Sequence, residues 1–335
     1  MLLWKNQMTI SKEAKKPRPV RHTKRHDLVR FIRLVNFETG EVATIMPNLG
    51  ATVVELILRS GKNLHSVLES PRSLQEIIDN KHYHGAKLMP FPGRTVHGKY
   101  QFAGNHYTLR TNTKGGGSSI HGFVCKKPFR IVRTAVNNRR ASVILEYIHE
   151  GDTKGYPFKF SVRLTFTLAN KSFKCTTLVR NLDKCAIPLG DGWHPYYKTS
   201  GGINRLLLSL PSHAVVELTV QKVPTGRMVR PTRKTSTIPL RRKEIDSVFD
   251  LGEKRRQVTT KLINPKSGVE LRLWQEAGAG KYRYLVVYRP PSGTSVAIEP
   301  WTCAPNAANN KLGLIVLKPG GKFMASYGVS IKSVR

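Results

Sequence analysis

The sequence predicts an all-β protein, built as one large antiparallel β-sandwich with a single short helix near residues 71–80. Segments that alternate apolar and polar residues, such as 158–168, recur along the chain, and this period of two is typical of strands with one buried face. No repeat of fixed period occurs, which argues against a propeller. No charge-rich or proline- and serine-rich linker divides residues 27–335, which favours one domain.

The N-terminal segment differs in composition from the rest of the chain. Residues 1–26 are polar, basic and without periodicity, and this predicts a flexible arm before the single domain at 27–335. The first strand is expected at residues 28–35, where β-branched and apolar residues cluster. Further strands are expected at 42–46 and 52–58.

One segment carries the start, the apolar stripe and the end of a helix. Ser70 is the expected capping residue, and Pro71 occupies the first helical position. Leu74, Ile77 and Ile78 form the apolar stripe, and the helix is expected to end near Asn80.

The later chain returns to strand patterns. Residues 103–105 (Ala-Gly-Asn) predict a hairpin turn between two short strands. The glycine-rich loop at 114–119 is not a phosphate-binding P-loop, because the GK[ST] ending and the following helix are missing. The remaining strands are expected at 129–134, 142–147, 158–168, 173–181, 205–210, 215–220, 269–274, 284–288, 295–298 and 323–331.

The charge of the chain is strongly unbalanced. Its 56 lysine and arginine residues and 21 aspartate and glutamate residues give a formal net charge of +35. A protein this basic binds polyanions non-specifically at low salt. The cations are spread along the chain without a recognition helix, a zinc finger or an RNP-like motif, so a solvated surface is expected and no specific nucleic-acid partner. Nucleic-acid binding stays open as the alternative.

The composition also bears on compartment and cofactors. The four cysteines include no CxxC pair, which argues against a zinc or redox motif, and reduced thiols in the cytoplasm are expected. No apolar run approaches the roughly 20 residues of a membrane span. The apolar start, at residues 1–4, is too short for a signal-peptide core.

The most informative stretch is residues 188–197, Pro-Leu-Gly-Asp-Gly-Trp-His-Pro-Tyr-Tyr. It follows a strand pattern, and Pro195 holds the backbone extended at His194. We therefore expect an imidazole at a strand end, walled by Trp193, Tyr196 and Tyr197. A sugar has apolar faces and polar edges, so aromatic rings beside a titratable group suit a sugar site. The alternative is a structural histidine.

Four further polar residues stand at loops or strand ends. Glu299 ends an apolar strand just before Pro300, and burial there would raise its pKa. Arg94 could instead form a surface ion pair, His121 could merely shape a turn, and Asp246 could cap one.

In their order along the chain, these motifs resemble the aldose 1-epimerase (galactose mutarotase) family. The resemblance extends from about residue 28 to the C-terminus. The His-Pro-Tyr and Glu-Pro-x-Thr elements are its most specific parts. The matching segments are 93–94, 120–122, 193–197, 245–246, 298–302 and 317–321.

The resemblance implies a β-sandwich with an open sugar cleft that interconverts α and β anomers without a cofactor or a metal. It implies that Glu299 is the general base for the C1 hydroxyl and that His194, as imidazolium, protonates the ring oxygen. It also implies that Arg94, His121 and Asp246 hold the sugar. The expected partner is a small-molecule aldose, with no membrane, and the expected state is a monomer or homodimer.

The sequence departs from the family pattern at three places. Gly93 stands where the family usually has asparagine, and Tyr197 stands where it has phenylalanine. A glutamine of the family is replaced within 285–289, and Gln275 is a candidate substitute. Two other functions stay open: a mutarotase-like protein for a phosphorylated or acidic sugar, and a non-catalytic carbohydrate- or polyanion-binding module.

Overall fold

A computed structural model describes residues 8–14, 30–71, 73–211, 214–230, 236–241 and 244–334. These residues form 28 strands and two short α-helices, and every strand pairing is antiparallel except for one isolated bridge. The predicted all-β sandwich is therefore confirmed. Three large sheets carry most of the strands, and three two-stranded ribbons complete the fold.

The first sheet has five strands in chain order. They are β1 (Met8–Ala14), β2 (Arg30–Asn36), β3 (Glu41–Met46), β4 (Thr52–Ser60) and β5 (Asn63–Ser66). Residues 8–14 belong to the segment predicted to be a flexible arm. That prediction is wrong for these residues, because they pair with β2 along their whole length. The rest of the predicted arm lies outside the described residues, as do the first two residues of the strand expected at 28–35.

The second sheet has nine strands. In spatial order they are β11 (Arg130–Asn137), β12 (Arg140–His149), β13 (Phe160–Ala169), β14 (Ser172–Asn181), β28 (Lys322–Ser333), β24 (Val269–Glu276), β23 (Gln257–Asn264), β18 (Leu207–Leu210) and β21 (Ser236–Pro239).

The third sheet has eight strands and carries the candidate site. In spatial order they are β20 (Pro224–Val229), β19 (Ala214–Leu218), β22 (Asp246–Asp250), β25 (Tyr284–Tyr288), β26 (Val296–Trp301), β16 (Gly192–His194) and β6 (Ala86–Leu88), and β17 (Tyr196–Tyr197) also pairs with β26.

The ribbons and helices are short. The ribbons pair β7 (Arg94–Val96) with β10 (Ser118–Ile120), β8 (Lys99–Phe102) with β9 (Asn105–Thr108), and β15 (Ile187–Leu189) with β27 (Ile315–Leu317). The predicted hairpin at 103–105 is confirmed by the β8–β9 ribbon. The helices are α1 (Leu74–Asp79) and α2 (Ala307–Asn310). No helix of the described residues is long and apolar enough to cross a membrane.

The predicted helix exists, but its start was misplaced. Ser73 caps α1, because its hydroxyl accepts a hydrogen bond from the Glu76 N–H. The Ser70 hydroxyl instead donates to the Val54 carbonyl. Asn80 ends the helix as predicted, in a left-handed backbone conformation.

One continuous core joins the three large sheets. It includes Ile32 from the first sheet, Leu164 from the second, and Leu285 and Ile298 from the third. Along β13 and β14 buried and partly exposed residues alternate, as expected for strands with one solvated face. By contrast, all residues of β26 are buried, so this strand is covered on both faces.

The second face of the eight-stranded sheet has its own apolar cluster. Val248, Val286 and Trp301 belong to it, on three neighbouring strands, whereas Ile298 faces the main core. Because side chains alternate between faces along a strand, Glu299 lies on the same face as Trp301. This face, outside the main core, holds the candidate site.

Candidate active site

A cavity of about 260 Å³ on this face is lined by all five residues that the sequence singled out, Arg94, His121, His194, Asp246 and Glu299. They come from β26, β16, β22, β7 and the loop after β10. Small-molecule pockets span roughly 300–1,000 Å³, and this cavity lies just below that range. Its size suits a monosaccharide.

Glu299 lies at the bottom of the cavity. Its side chain is 1% exposed, and its Oε1 atom lies 3.4 Å from His194 Nε2. The Trp301 indole N–H donates a hydrogen bond of 3.1 Å to Glu299 Oε2. Burial raises the pKa of Glu299 well above its ordinary value; the Trp301 hydrogen bond opposes this shift and the Asp246 charge adds to it.

His194 faces the cavity because its neighbour Trp193 points into the main core and side chains alternate between the two faces along a strand. Its ring stacks on Tyr196 with 4.8 Å between centroids, and Tyr83 lies parallel to it at 6.5 Å. Burial lowers the pKa of His194 well below its ordinary value, and His121 lowers it further. The prediction of three aromatic walls is therefore only partly correct, since Trp193 and Tyr197 point into the main core.

The two pKa shifts have one consequence for the pair. Burial disfavours the Glu299 carboxylate and the His194 imidazolium alike, which favours a proton on Glu299 over one on His194. Moving that proton to His194 creates two opposite charges within 3.4 Å of each other. The pair can therefore act as a coupled acid and base without gaining or losing a proton.

His121 is a fixed neutral hydrogen-bond donor. Its Nδ1 atom accepts the Gly93 N–H at 3.2 Å, which places the ring proton on Nε2. Burial, followed by the Arg94 charge, lowers the pKa of His121 to about 3. The ring packs edge-on against His194 at 5.3 Å, so it lies beside the acid–base pair.

Arg94 and Asp246 also line the cavity. Among the described residues no carboxylate lies within 4.0 Å of the Arg94 guanidinium, so its donors are available to a ligand. The half-exposed Asp246 forms an ion pair with Lys222 Nζ at 2.8 Å. Lys222 also lines the cavity, and sequence reasoning missed it because it lies in a turn without a motif.

Trp301 forms the floor of the cavity, and two glycines make room for it. A Cβ atom on Gly93 would lie 2.8 Å from Trp301 Cζ3, and one on Gly192 would lie 2.7 Å from Trp301 Cδ1. The family's asparagine therefore cannot stand at Gly93 while this indole is in place. The chain thus lacks the amide of the family's asparagine, but the Trp301 indole N–H donates a hydrogen bond to Glu299.

The proposed substitute for the family's glutamine is wrong. Gln275 is buried on β24, where its amide donates to the carbonyls of Tyr282 and Tyr284 at 2.7 and 3.0 Å. It does not line the cavity. Tyr288, on β25, does line the cavity. No group of three or more potential metal ligands occurs among the described residues.

Comparison with known proteins decides the family. The model of the aldose 1-epimerase family matches residues 33–330. The chain belongs to the aldose 1-epimerase family. The chain is also similar to a curated protein, the uncharacterized protein YihR of Escherichia coli (strain K12). The two are 23% identical over 307 residues, which are 88% of this chain and 92% of that protein.

Solved structures with the aldose 1-epimerase fold cover nearly the whole chain. A galactose mutarotase-like protein from Clostridium acetobutylicum superimposes with a TM-score of 0.83 at 19% identity, over 97% of this chain and 99% of that one. The galactose 1-epimerase from Lactobacillus acidophilus NCFM has a TM-score of 0.78 at 17% identity, over 98% and 100%. These superpositions establish a shared fold.

Proposed function

We propose that the protein is a cofactor-independent aldose 1-epimerase that interconverts the α and β anomers of a small aldose. The observation that carries this proposal is the Glu299–His194 pair, 3.4 Å apart and nearly excluded from water inside a sugar-sized cavity. Binding alone does not need a buried acid beside a buried base. A non-catalytic carbohydrate-binding module is therefore the weaker alternative.

The reaction is a balanced exchange of two protons. In the form of the pair with its proton on His194, Glu299 takes the proton of the C1 hydroxyl while C1 becomes a carbonyl, the C1–O5 bond breaks, and His194 gives its proton to O5. Rotation about C1–C2 presents the other aldehyde face. Closure then returns the O5 proton to His194 and the Glu299 proton to O1. Each group contributes roughly 10²–10⁴-fold to the rate.

The remaining polar groups of the cavity bind the sugar. His121 donates through Nε2–H, and Arg94 donates through its guanidinium, which has no carboxylate partner among the described residues. Asp246 accepts from sugar hydroxyls at the mouth. Trp301 and Tyr288 supply apolar surface for the sugar ring.

Polarimetry of freshly dissolved α-D-glucose and α-D-galactose tests this proposal. The wild type should relax either sugar faster than buffer, and Glu299→Gln should slow it by roughly 10²–10⁴-fold. Glu150→Gln is the matched control, because it removes a carboxylate that is 68% exposed and leaves the rate unchanged. If the wild type does not exceed buffer on these or other aldoses, the enzyme proposal fails and a binding protein remains.

A second candidate is a mutarotase for an acidic sugar, and one observation favours it. Two cations, Arg94 and Lys222, line a cavity whose carboxylates are Asp246 and the buried Glu299. A carboxylate or phosphate on the sugar could therefore pair with Lys222 at the mouth. This candidate predicts a higher kcat/KM for D-glucuronate or glucose 6-phosphate than for glucose, and a selective loss of that preference in Lys222→Ala. Equal effects of Lys222→Ala on neutral and acidic sugars would eliminate it.

A further inference from the structure

A fully buried ion pair lies behind the catalytic strands, on the main-core side of the sheet. Lys87 Nζ and Asp191 Oδ1 are 2.5 Å apart, and both side chains are 0% exposed. Lys87 lies on β6 opposite Trp193 of β16, and its ammonium is 4.5 Å from the centre of the Trp193 ring. The pair therefore flanks the residue that immediately precedes His194.

Hydroxyl groups extend this pair across the core. Lys87 Nζ donates to Thr177 Oγ1 at 3.0 Å, and Tyr282 Oη donates to Asp191 Oδ2 at 2.9 Å. Thr177 lies on β14 of the nine-stranded sheet. The network thus connects the sheet that carries the site to the sheet behind it.

The backbone of Asp191 also joins the two strands that carry the acid and the base. The Asp191 N–H donates to Thr302 Oγ1 at 2.9 Å, and the Thr302 N–H donates to the Asp191 carbonyl at 2.8 Å. Thr302 follows β26, which carries Glu299, and Asp191 precedes β16, which carries His194. Asp191 is therefore hydrogen-bonded to the end of the strand that carries Glu299 and directly precedes the strand that carries His194.

Stability alone is a poor explanation for this ion pair. Removing two charges from water is costly, and replacing a buried pair by apolar residues is often neutral or stabilising. Accordingly, burial raises the pKa of Asp191 and lowers that of Lys87. A directional contact at this point is better explained by the geometry that it imposes on β16.

We propose that Lys87 and Asp191 are positioning residues, which hold β16 from behind so that His194 stays within proton-transfer distance of Glu299. This inference rests on the proposed epimerase function. A misplacement of about 1 Å can cost roughly 10²-fold in rate. The pair therefore acts on the chemical step through strand position, without touching the sugar.

The test compares the wild type with Lys87→Met/Asp191→Asn, which removes both charges together and leaves no lone buried ion. We expect cooperative unfolding, a KM within about twofold, and a kcat lower by roughly 10- to 100-fold. The ring ¹⁵N signals of His194 should also move and titrate differently. Tyr282→Phe deletes only the hydroxyl that donates to Asp191, so it should show smaller changes in the same direction. This variant replaces the double variant in the test if the double variant does not fold.

Asn264→Ala is the matched control for a loss of buried polar contacts. Asn264 lies on β23, is 2% exposed, and donates to Thr199 and Ser200 away from the cavity. It should lower stability without lowering kcat. Wild-type kcat and unchanged His194 signals in the double variant would refute the positioning role, as would an equal kcat loss in Asn264→Ala. If the wild type proves inactive, the epimerase proposal fails, whereas the His194 signals still decide whether Lys87 and Asp191 position this ring.

Discussion

The Glu299–His194 pair determines how activity should depend on pH. The working form holds one proton on the pair. Gaining a second proton, on His194, requires a pH below the lowered pKa of that residue. Losing the only proton requires a pH above the raised pKa of Glu299. The pH profile should therefore be a broad bell with a His194 limb on the acidic side and a Glu299 limb on the basic side.

Two substitutions should move the basic limb in opposite directions. Trp301→Phe removes the hydrogen bond that favours the Glu299 carboxylate, so the pKa of Glu299 rises and the limb moves to higher pH. Asp246→Asn removes a negative charge that disfavours the carboxylate, so the limb moves to lower pH. The measurement is kcat/KM against pH by polarimetry. The acidic limb is the internal control, and movement of both basic limbs in one direction would contradict the assignment.

At the scale of single elements, Gly192 on β16 shows how a small residue positions the site. Its Cβ position lies 2.7 Å from Trp301 Cδ1 and 3.1 Å from Pro92 Cβ, so the strand and the indole are in direct contact. Gly192 is the first residue of β16, and its missing side chain allows the indole to approach the backbone closely. Three residues of the chain, Gly93, Gly192 and Trp301, therefore depend on one another although they are far apart in sequence.

Gly192→Ala should destabilise the protein by about 1–3 kcal/mol through overpacking and should lower kcat, because the displaced indole is bonded to Glu299. Gly117→Ala is the matched control: its φ is −74° and no atom lies within 4 Å of its Cβ position. Urea unfolding and polarimetry measure both effects. If the two variants were equally stable and active, the contact between Gly192 and Trp301 would be unimportant.

At the scale of the whole molecule, the net charge of +35 sets the response to salt. Self-repulsion destabilises the compact state, and the Debye length falls from about 30 Å at 0.01 M to about 8 Å at 0.15 M. Tm should therefore rise between these ionic strengths. Turnover of a neutral sugar should stay constant, because the sugar carries no charge and salt therefore has no substrate attraction to screen.

Thermal unfolding at the two ionic strengths checks the first part of this prediction, with polarimetry on α-D-glucose for the second. Sucrose at matched osmolality controls for solute effects other than charge screening. A Tm that does not change with salt would mean that the cations are neutralised locally. The ion pairs of the described residues argue against this. Glu146 and Glu270 each pair with two cations, so one negative charge is shared between two positive charges.

The sequence predicted different parts of the site with different success. Glu299 and His194 stand in motifs with prolines and aromatic residues close by, so local pattern was enough to find them. Lys222 and Tyr288 have no such local pattern, and only folding places them at the cavity. The cap of α1 was misassigned for a related reason, because the contact that engages Ser70 comes from Val54, on a strand distant in sequence.

By itself the sequence predicted the all-β class, the family and five of the residues that line the candidate site, because alternation and short motifs are local properties of the chain. The tertiary structure alone decided three things: the 3.4 Å approach of His194 to Glu299, the indole floor between two glycines, and the buried Lys87–Asp191 pair behind the strands. Each of these joins residues that are distant in sequence. Their separation depends on strand order and register, which no local pattern encodes.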